Sequence, residues 1–156
     1  ILVGTKAFAS AVIDNLGLKP SILQPVSYTG SSALKLPKYV RKPQKTKELK
    51  GIDLFFHWTG NSPDALAAKL KTIETAGIEL SMITNRGIKV WPGGFPETFC
   101  TDHWRCRFKP TEGNQMSKHA IIQLLNSAIE KGIDTVKTEN LYTFDGKMGF
   151  SLGQGQ

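Results

Sequence analysis

The chain has 156 residues, 40% of them hydrophobic, which is enough for one good core with appendages. Its net charge is +7, and no apolar run approaches the roughly 18 residues that a membrane-spanning helix needs. Ile1 opens the chain without an initiator Met or a basic secretory n-region, so the start reads as mid-fold, a piece of something larger.

A charge of +7 would ordinarily point to nucleic acid, but its placement argues otherwise. Lys35, Lys38, Arg41, Lys42, Lys45, Lys47 and Lys50 face a single acid, Glu48, so this one stretch carries nearly all the excess. With Pro37 and Pro43 inside it, the stretch reads as a solvated connector, and nucleic acid is disfavoured as a partner of the globular part.

Upstream of the connector, Thr5 to Leu16 reads as a helix. Thr5 is placed to cap it, Phe8, Val12 and Leu16 share a stripe, and Gly17 supplies the stop before Pro20. The expected organisation is therefore residues 1–28 belonging to one packing unit, a basic linker at 29–50, and an α+β domain at 51–156.

From Gly51 the pattern is dense. "IDLFFHW" alternates as a strand with Ile52, Leu54, Phe56 and Trp58 on one face. "SPDALAAKLKTIETAG" is a helix capped by Ser62 with Pro63 at its first position and Leu66, Leu70 and Ile73 buried. "IELSMIT" is a strand that places Ile78, Leu80 and Met82 together, and Asn85–Gly87 turns it into an antiparallel "IKVW". A second helix spans Ser117 to Lys131, with Ile121, Leu124, Leu125, Ala128 and Ile129 inward. "IDTVKTENLYTF" is the next strand, and Asp145-Gly146 turns it into "KMGFSL", where Met148, Phe150 and Leu152 alternate. The order is β-α-β-β-α-β with an extra C-terminal hairpin strand, the ferredoxin-like split βαβ sandwich. The closing "GQGQ" reads as a frayed end.

Between these elements lies "FCTDHWRCRF", Phe99 to Phe108, holding both cysteines. Read as extended chain, it puts Cys100, Asp102, Trp104, Cys106 and Phe108 on one face and His103, Arg105 and Arg107 on the other. The cysteines then stand about 20 Å apart along the strand, too far to bridge or to share an ion, and His103 points away from both. Two separated, reduced cysteines fit a reducing compartment. His103, Arg105 and Arg107 form a polar row that meets solvent, a subunit or domain interface, or an anion.

Phosphate-cradling motifs are absent: there is no G-x-x-x-x-G-K-[ST] and no G-x-G-x-x-G. Asp53 and His57 share a strand face, as a general acid and base could.

"VGTKAFASAVIDNLG" (Val3 to Gly17), "ITNRGIKVWP" (Ile83 to Pro92), "TDHWRCRF" (Thr101 to Phe108) and "TENLYTFDGKMGFSLGQG" (Thr138 to Gly155) occur in that order. Together they resemble the closing helix and the extra C-terminal domain of the long bacterial-type isocitrate dehydrogenases. The resemblance implies a parent enzyme that oxidatively decarboxylates isocitrate to 2-oxoglutarate with NADP or NAD and Mg or Mn. It implies cytoplasmic residence, mitochondrial in a eukaryote, and an added domain serving homodimer assembly or stability. The family's catalytic, cofactor and metal positions have no motif match here, so no catalytic, cofactor-binding or metal residue is carried over. Two other functions fit the residues: an ACT-like regulatory ligand-binding module, which shares the topology, and a polyanion-binding module acting through the basic linker.

Overall fold

The computed structural model describes residues 2–27 and 36–154, which fall into two units, Ile1–Arg41 and Lys42–Gln156. The sequence-assigned linker is described only from Leu36 onward; its earlier part lies outside the described residues. In the first unit, helix α1 spans Thr5–Asp14. Gly4, not Thr5, is the N-cap residue, and Asn15 closes the helix while its side chain donates to the Ala11 carbonyl at 2.7 Å. Leu16 therefore lies past the helix end, and Phe8, Val12 and Ile13 are exposed.

The second unit is a mixed α/β domain built on one six-stranded antiparallel sheet. Its strands are β1 (Lys47–His57), β2 (Ile78–Asn85), β3 (Ile88–Trp91), β4 (His103–Pro110), β5 (Lys137–Phe144) and β6 (Lys147–Met148). Their spatial order is β3-β2-β4-β1-β5-β6. Helix α2 (Pro63–Lys71) separates β1 from β2, and α3 (Lys118–Glu130) separates β4 from β5. β1 begins at Lys47, inside the stretch read from sequence as linker, because Lys47 to Leu49 pair with Phe144 to Tyr142.

Both helices of this domain start where their residues demand. Ser62 Oγ accepts the Ala65 N–H at 3.3 Å, and Ser117 Oγ accepts the Ala120 N–H at 3.0 Å, each satisfying a donor the helix cannot use itself. Leu66, Ala67 and Leu70 of α2 join Ile121, Leu124 and Ala128 of α3 in one core with Ile52, Leu54, Phe56, Trp104, Cys106 and Phe108 of the sheet. Fully burying each large apolar side chain contributes about 1.5–3 kcal/mol. Ile129, expected inward, is 75% exposed. It stands one position past Ala128, beyond the edge of the apolar stripe.

A bulge changes the face of β2. Leu80 lies opposite Phe108 and Met82 opposite Arg107, so Ser81 is the extra residue and the alternation slips by one. Ile83, opposite Cys106, then takes the core position, and Met82 moves to the other side of the sheet. A second irregularity, between Leu49 and Gly51 of β1, brings the backbone close to β4. A Cβ at Gly51 would stand 2.6 Å from the Phe108 carbonyl oxygen, so no other residue fits without moving the strand.

Candidate functional site

The sheet face opposite the helices carries the polar row. The Trp58 N–H donates to the Asp102 carbonyl at 2.9 Å, which makes those two residues a hydrogen-bonded pair of the antiparallel ladder. Alternation along the ladder then makes His57–His103, Phe55–Arg105 and Asp53–Arg107 non-hydrogen-bonded pairs, the kind whose side chains approach most closely. Sequence and register thus bring two arginines and one aspartate together in the middle of a sheet.

Arg107 grips Asp53 with two parallel hydrogen bonds, Nε to Oδ1 at 2.7 Å and Nη2 to Oδ2 at 2.8 Å, and both side chains are only 1% exposed. This bidentate, charge-assisted pairing is what lets two full charges remain out of water. Arg105 adds a second positive charge, its Nε 3.3 Å from Asp53 Oδ2, an ion pair without hydrogen-bond alignment.

What covers the pair is the chain's own C-terminal segment, residues 149–154. After β6 the Gly149 N–H donates to the Tyr142 carbonyl at 2.8 Å. The Phe150 ring then sits 4.9 Å from the Arg107 guanidinium carbon. Arg107 Nη2 donates to the Ser151 carbonyl at 3.0 Å, and Arg105 Nη1 to Ser151 Oγ at 3.2 Å. Gly153 lies tight on the sheet, where a Cβ would come within 2.8 Å of Thr84 Cγ2. At the far edge the Gln154 N–H donates to the Gly87 carbonyl and the Gln154 carbonyl accepts from the Lys89 N–H, both at 2.9 Å. The segment is a strap running over the sheet from β5 to the β2–β3 turn.

The strap corrects the reading of the C-terminal segment. β6 stops at Met148, so Phe150 and Leu152 do not continue a hairpin strand, and Gln154 is hydrogen-bonded rather than frayed. The polar row is also not uniformly open. Arg107 is buried, Arg105 is mostly covered, and only His103 is exposed. Sequence alone leaves the identity of the cover open; it is this domain itself.

The extended reading of Phe99 to Phe108 holds from His103 onward. Trp104, Cys106 and Phe108 are fully buried, while residues 99–102 are not strand. The reason lies in Asn85. Arg86 and Gly87 have φ of 51° and 82° and turn β2 away, so no strand is left to pair with Thr101. The buried Asn85 side chain takes over, accepting the Thr101 N–H at 2.9 Å and donating to the Thr101 and His103 carbonyls at 2.8 and 3.2 Å. Trp104 Nε1 donates to the Trp58 carbonyl at 2.9 Å, and the two indoles meet edge to face.

Both cysteines are free thiols. Burial pushes the Cys106 thiol well above its ordinary value, and the negative charge of Asp53 pushes it the same way. Burial also raises half-buried Cys100, with Arg86 opposing. The expected acid–base partners, Asp53 and His57, do not meet. Asp53 is held by arginines, and exposed His57 has its Nε2 3.9 Å from Asp102 Oδ2. Among the described residues no three His, Cys, Asp or Glu side chains converge to hold a metal, so the donors here do not fit the Mg or Mn that the resemblance implies. None of the described helices is long and apolar enough to cross a membrane.

Comparison with known proteins matches residues 47–156 to the family described as bacterial isocitrate dehydrogenase, C-terminal domain. The isocitrate dehydrogenase [NADP] of Rickettsia conorii is 35% identical over 157 residues, covering 99% of this chain and 32% of that protein. That of Rickettsia bellii is 34% identical over 156 residues with the same coverage. The namesake from Thermus thermophilus is 30% identical over 163 residues, covering 97% of this chain and 31% of the relative. Among solved structures, the TT0538 protein from Thermus thermophilus superposes with a TM-score of 0.66 at 29% identity, over 99% of this chain and 31% of that one. The chain thus spans about a third of the length of the curated relatives it matches. With its matched region coinciding with the sheet and its strap, the chain belongs to the C-terminal domain family of bacterial isocitrate dehydrogenase.

Proposed function

We propose that this chain is a non-catalytic accessory domain of an NADP-dependent isocitrate dehydrogenase, serving the assembly of a cytoplasmic homodimer or its stability. The observation that carries this reading is the internal use of the polar cluster. Asp53, among the described residues the one buried carboxylate, is committed to Arg107 by two short hydrogen bonds, and the strap lies over both. The groups left open on that face, His57, His103 and Lys137, form a rim suited to a subunit or domain contact. The relatives, isocitrate dehydrogenases that use NADP, support NADP as the cofactor of the parent, which would be bound by the remainder of the enzyme.

The finer architecture belongs to the same proposal. Set aside the edge strands β3 and β6, and the order β2-β4-β1-β5 with α2 and α3 as crossovers supports a ferredoxin-like split βαβ. Residues 1–28 would close the dehydrogenase core, 29–50 would connect, and the rest would form the accessory domain.

Two measurements test the proposal. This chain, given isocitrate, NADP and Mg or Mn, is expected to show no reduction of the nucleotide, and turnover would overturn the non-catalytic assignment. The full dehydrogenase lacking residues 42–156 is expected to lose its dimer by light scattering or to melt at lower temperature. An unchanged mass and melting temperature would remove the assembly role.

A further inference from the structure

The outer edge of β5 is only partly covered. On its inner side β5 pairs with β1 from Lys137 to Phe144. On its outer side β6 pairs with Thr143 and Phe144 alone, and the Gly149 N–H takes the Tyr142 carbonyl. Tyr142 therefore presents its backbone groups outward, and the alternation of an antiparallel strand turns those of Asn140 and Thr138 the same way. Among the described residues nothing pairs with them there, and both residues are exposed. Such edges are commonly blunted by a proline, a bulge or an outstretched lysine. β5 has no proline, and Lys137 is folded back over the sheet, its Nζ 3.5 Å from Glu139 Oε2 and 4.6 Å from the centre of the Phe55 ring.

We infer that this edge is the surface through which two copies of the chain pair, β5 against β5, antiparallel about a two-fold axis at Thr138. The inference rests on the assembly role proposed above and names the surface that serves it. A two-fold contact sets one patch against itself, and on a sheet edge the outward backbone groups of one copy must meet those of the other. Alignments centred on Lys137 or on Glu139 put like charges directly opposite, which is destabilising. An alignment centred on Asn140 runs Thr138 into the place that Gly149 already holds beside Tyr142. The alignment centred on Thr138 has neither fault. It makes the two Thr138 residues a hydrogen-bonded pair and sets each Lys137 against the partner's Glu139 in the close, non-hydrogen-bonded kind of pair. Each Lys137 then lies between two carboxylates, and four charges of alternating sign ring the axis. The contact is short, so it works as one of several in a dimer, where tethering supplies an effective concentration in the millimolar range.

Sedimentation equilibrium of the full chain, at protein concentrations up to about 1 mM, tests the pairing. The parent chain is expected to form a dimer. Lys137→Glu makes every charge round the axis negative and should return the chain to monomer. Lys137→Glu combined with Glu139→Lys restores the alternation and should restore the dimer, a rescue that damage to the fold could not give. Thr138→Pro removes an N–H that no bond inside the domain uses, so circular dichroism should show the fold retained while the dimer is lost. A parent chain that stays monomeric throughout, a dimer that survives Lys137→Glu or Thr138→Pro, or a charge swap that fails to restore it would overturn the pairing. Loss of the dimer on removing residues 42–156 from the full dehydrogenase would then still uphold the assembly role, so the two readings fail separately.

Discussion

Replacing Arg107 by Met tests the account of the polar face most directly. The substitution keeps an unbranched side chain in the space but removes both hydrogen bonds to Asp53, the bond to the Ser151 carbonyl and the contact with Phe150. Asp53, 1% exposed, is left as a buried carboxylate. Breaking a buried pair from one side costs about 3–5 kcal/mol. Arg105, 3.3 Å away and 16% exposed, can turn toward the orphaned oxygens, so the expected loss is at the low end, about 3 kcal/mol. That is a large share of the roughly 5–15 kcal/mol that holds a domain together. Urea unfolding at neutral pH, followed by fluorescence of the buried Trp104, reads it. Asp53→Leu combined with Arg107→Met removes both charges together, and it should recover stability to within about 1 kcal/mol of the parent. A single substitution costing under about 1 kcal/mol, or a double variant as damaged as the single, would refute the reasoning.

The other predictions concern the core, the thiols and the β5–β6 turn. Trp104→Ala should cost about 3–5 kcal/mol in urea unfolding followed by circular dichroism, because the ring is fully buried and its N–H satisfies Trp58; a cost under about 1 kcal/mol would mean the indole is not packed. A thiol reagent at neutral pH should modify Cys100 alone, Cys106 reacting only on unfolding, as mass spectrometry of the two peptides would show. Asp145 Oδ1 accepts from the Thr46 and Lys45 N–H groups at 2.9 and 3.1 Å, and these bonds, Thr46 first, hold its carboxyl below the ordinary value of 3.8. A folded-state value below the unfolded one stabilises the fold above the unfolded value, and that contribution is lost as pH falls through the lowered one. The stability advantage over Asp145→Asn should therefore be complete at neutral pH and vanish once the solution is more acidic than the depressed value. Thermal unfolding of both proteins across that range checks it.

Much of the domain is legible locally. Ser62 before Pro63 and Ser117 before the Ile121–Leu124 stripe announce α2 and α3 because capping is a short-range event. Trp104, Cys106 and Phe108 announce a core strand through simple alternation. The reading fails where one segment's fate depends on another far along the chain. A strict period of two cannot show the bulge at Ser81, so it places Met82 on the wrong face. Arginines at alternate positions look solvated, and only the distant Phe150 and Ser151 make Arg107 a buried residue. The signal that could have found the pair is Asp53, a carboxylate at the centre of an otherwise apolar strand, which needs a cationic partner wherever it is covered. Asn85 offers no signal, since a turn residue and a substitute for a missing strand look the same in sequence.

The strap also dictates an order of assembly. Everything it rests on, from Tyr142 to Arg107, Thr84 and Lys89, comes from four separate strands, so its docking surface does not exist until those strands have aligned. It must arrive last and, by reversibility, leave first. Hydrogen exchange at the Gly149 and Gln154 amides should accordingly run ahead of exchange anywhere in β1, marking the tail as the fastener through which the domain begins to come apart.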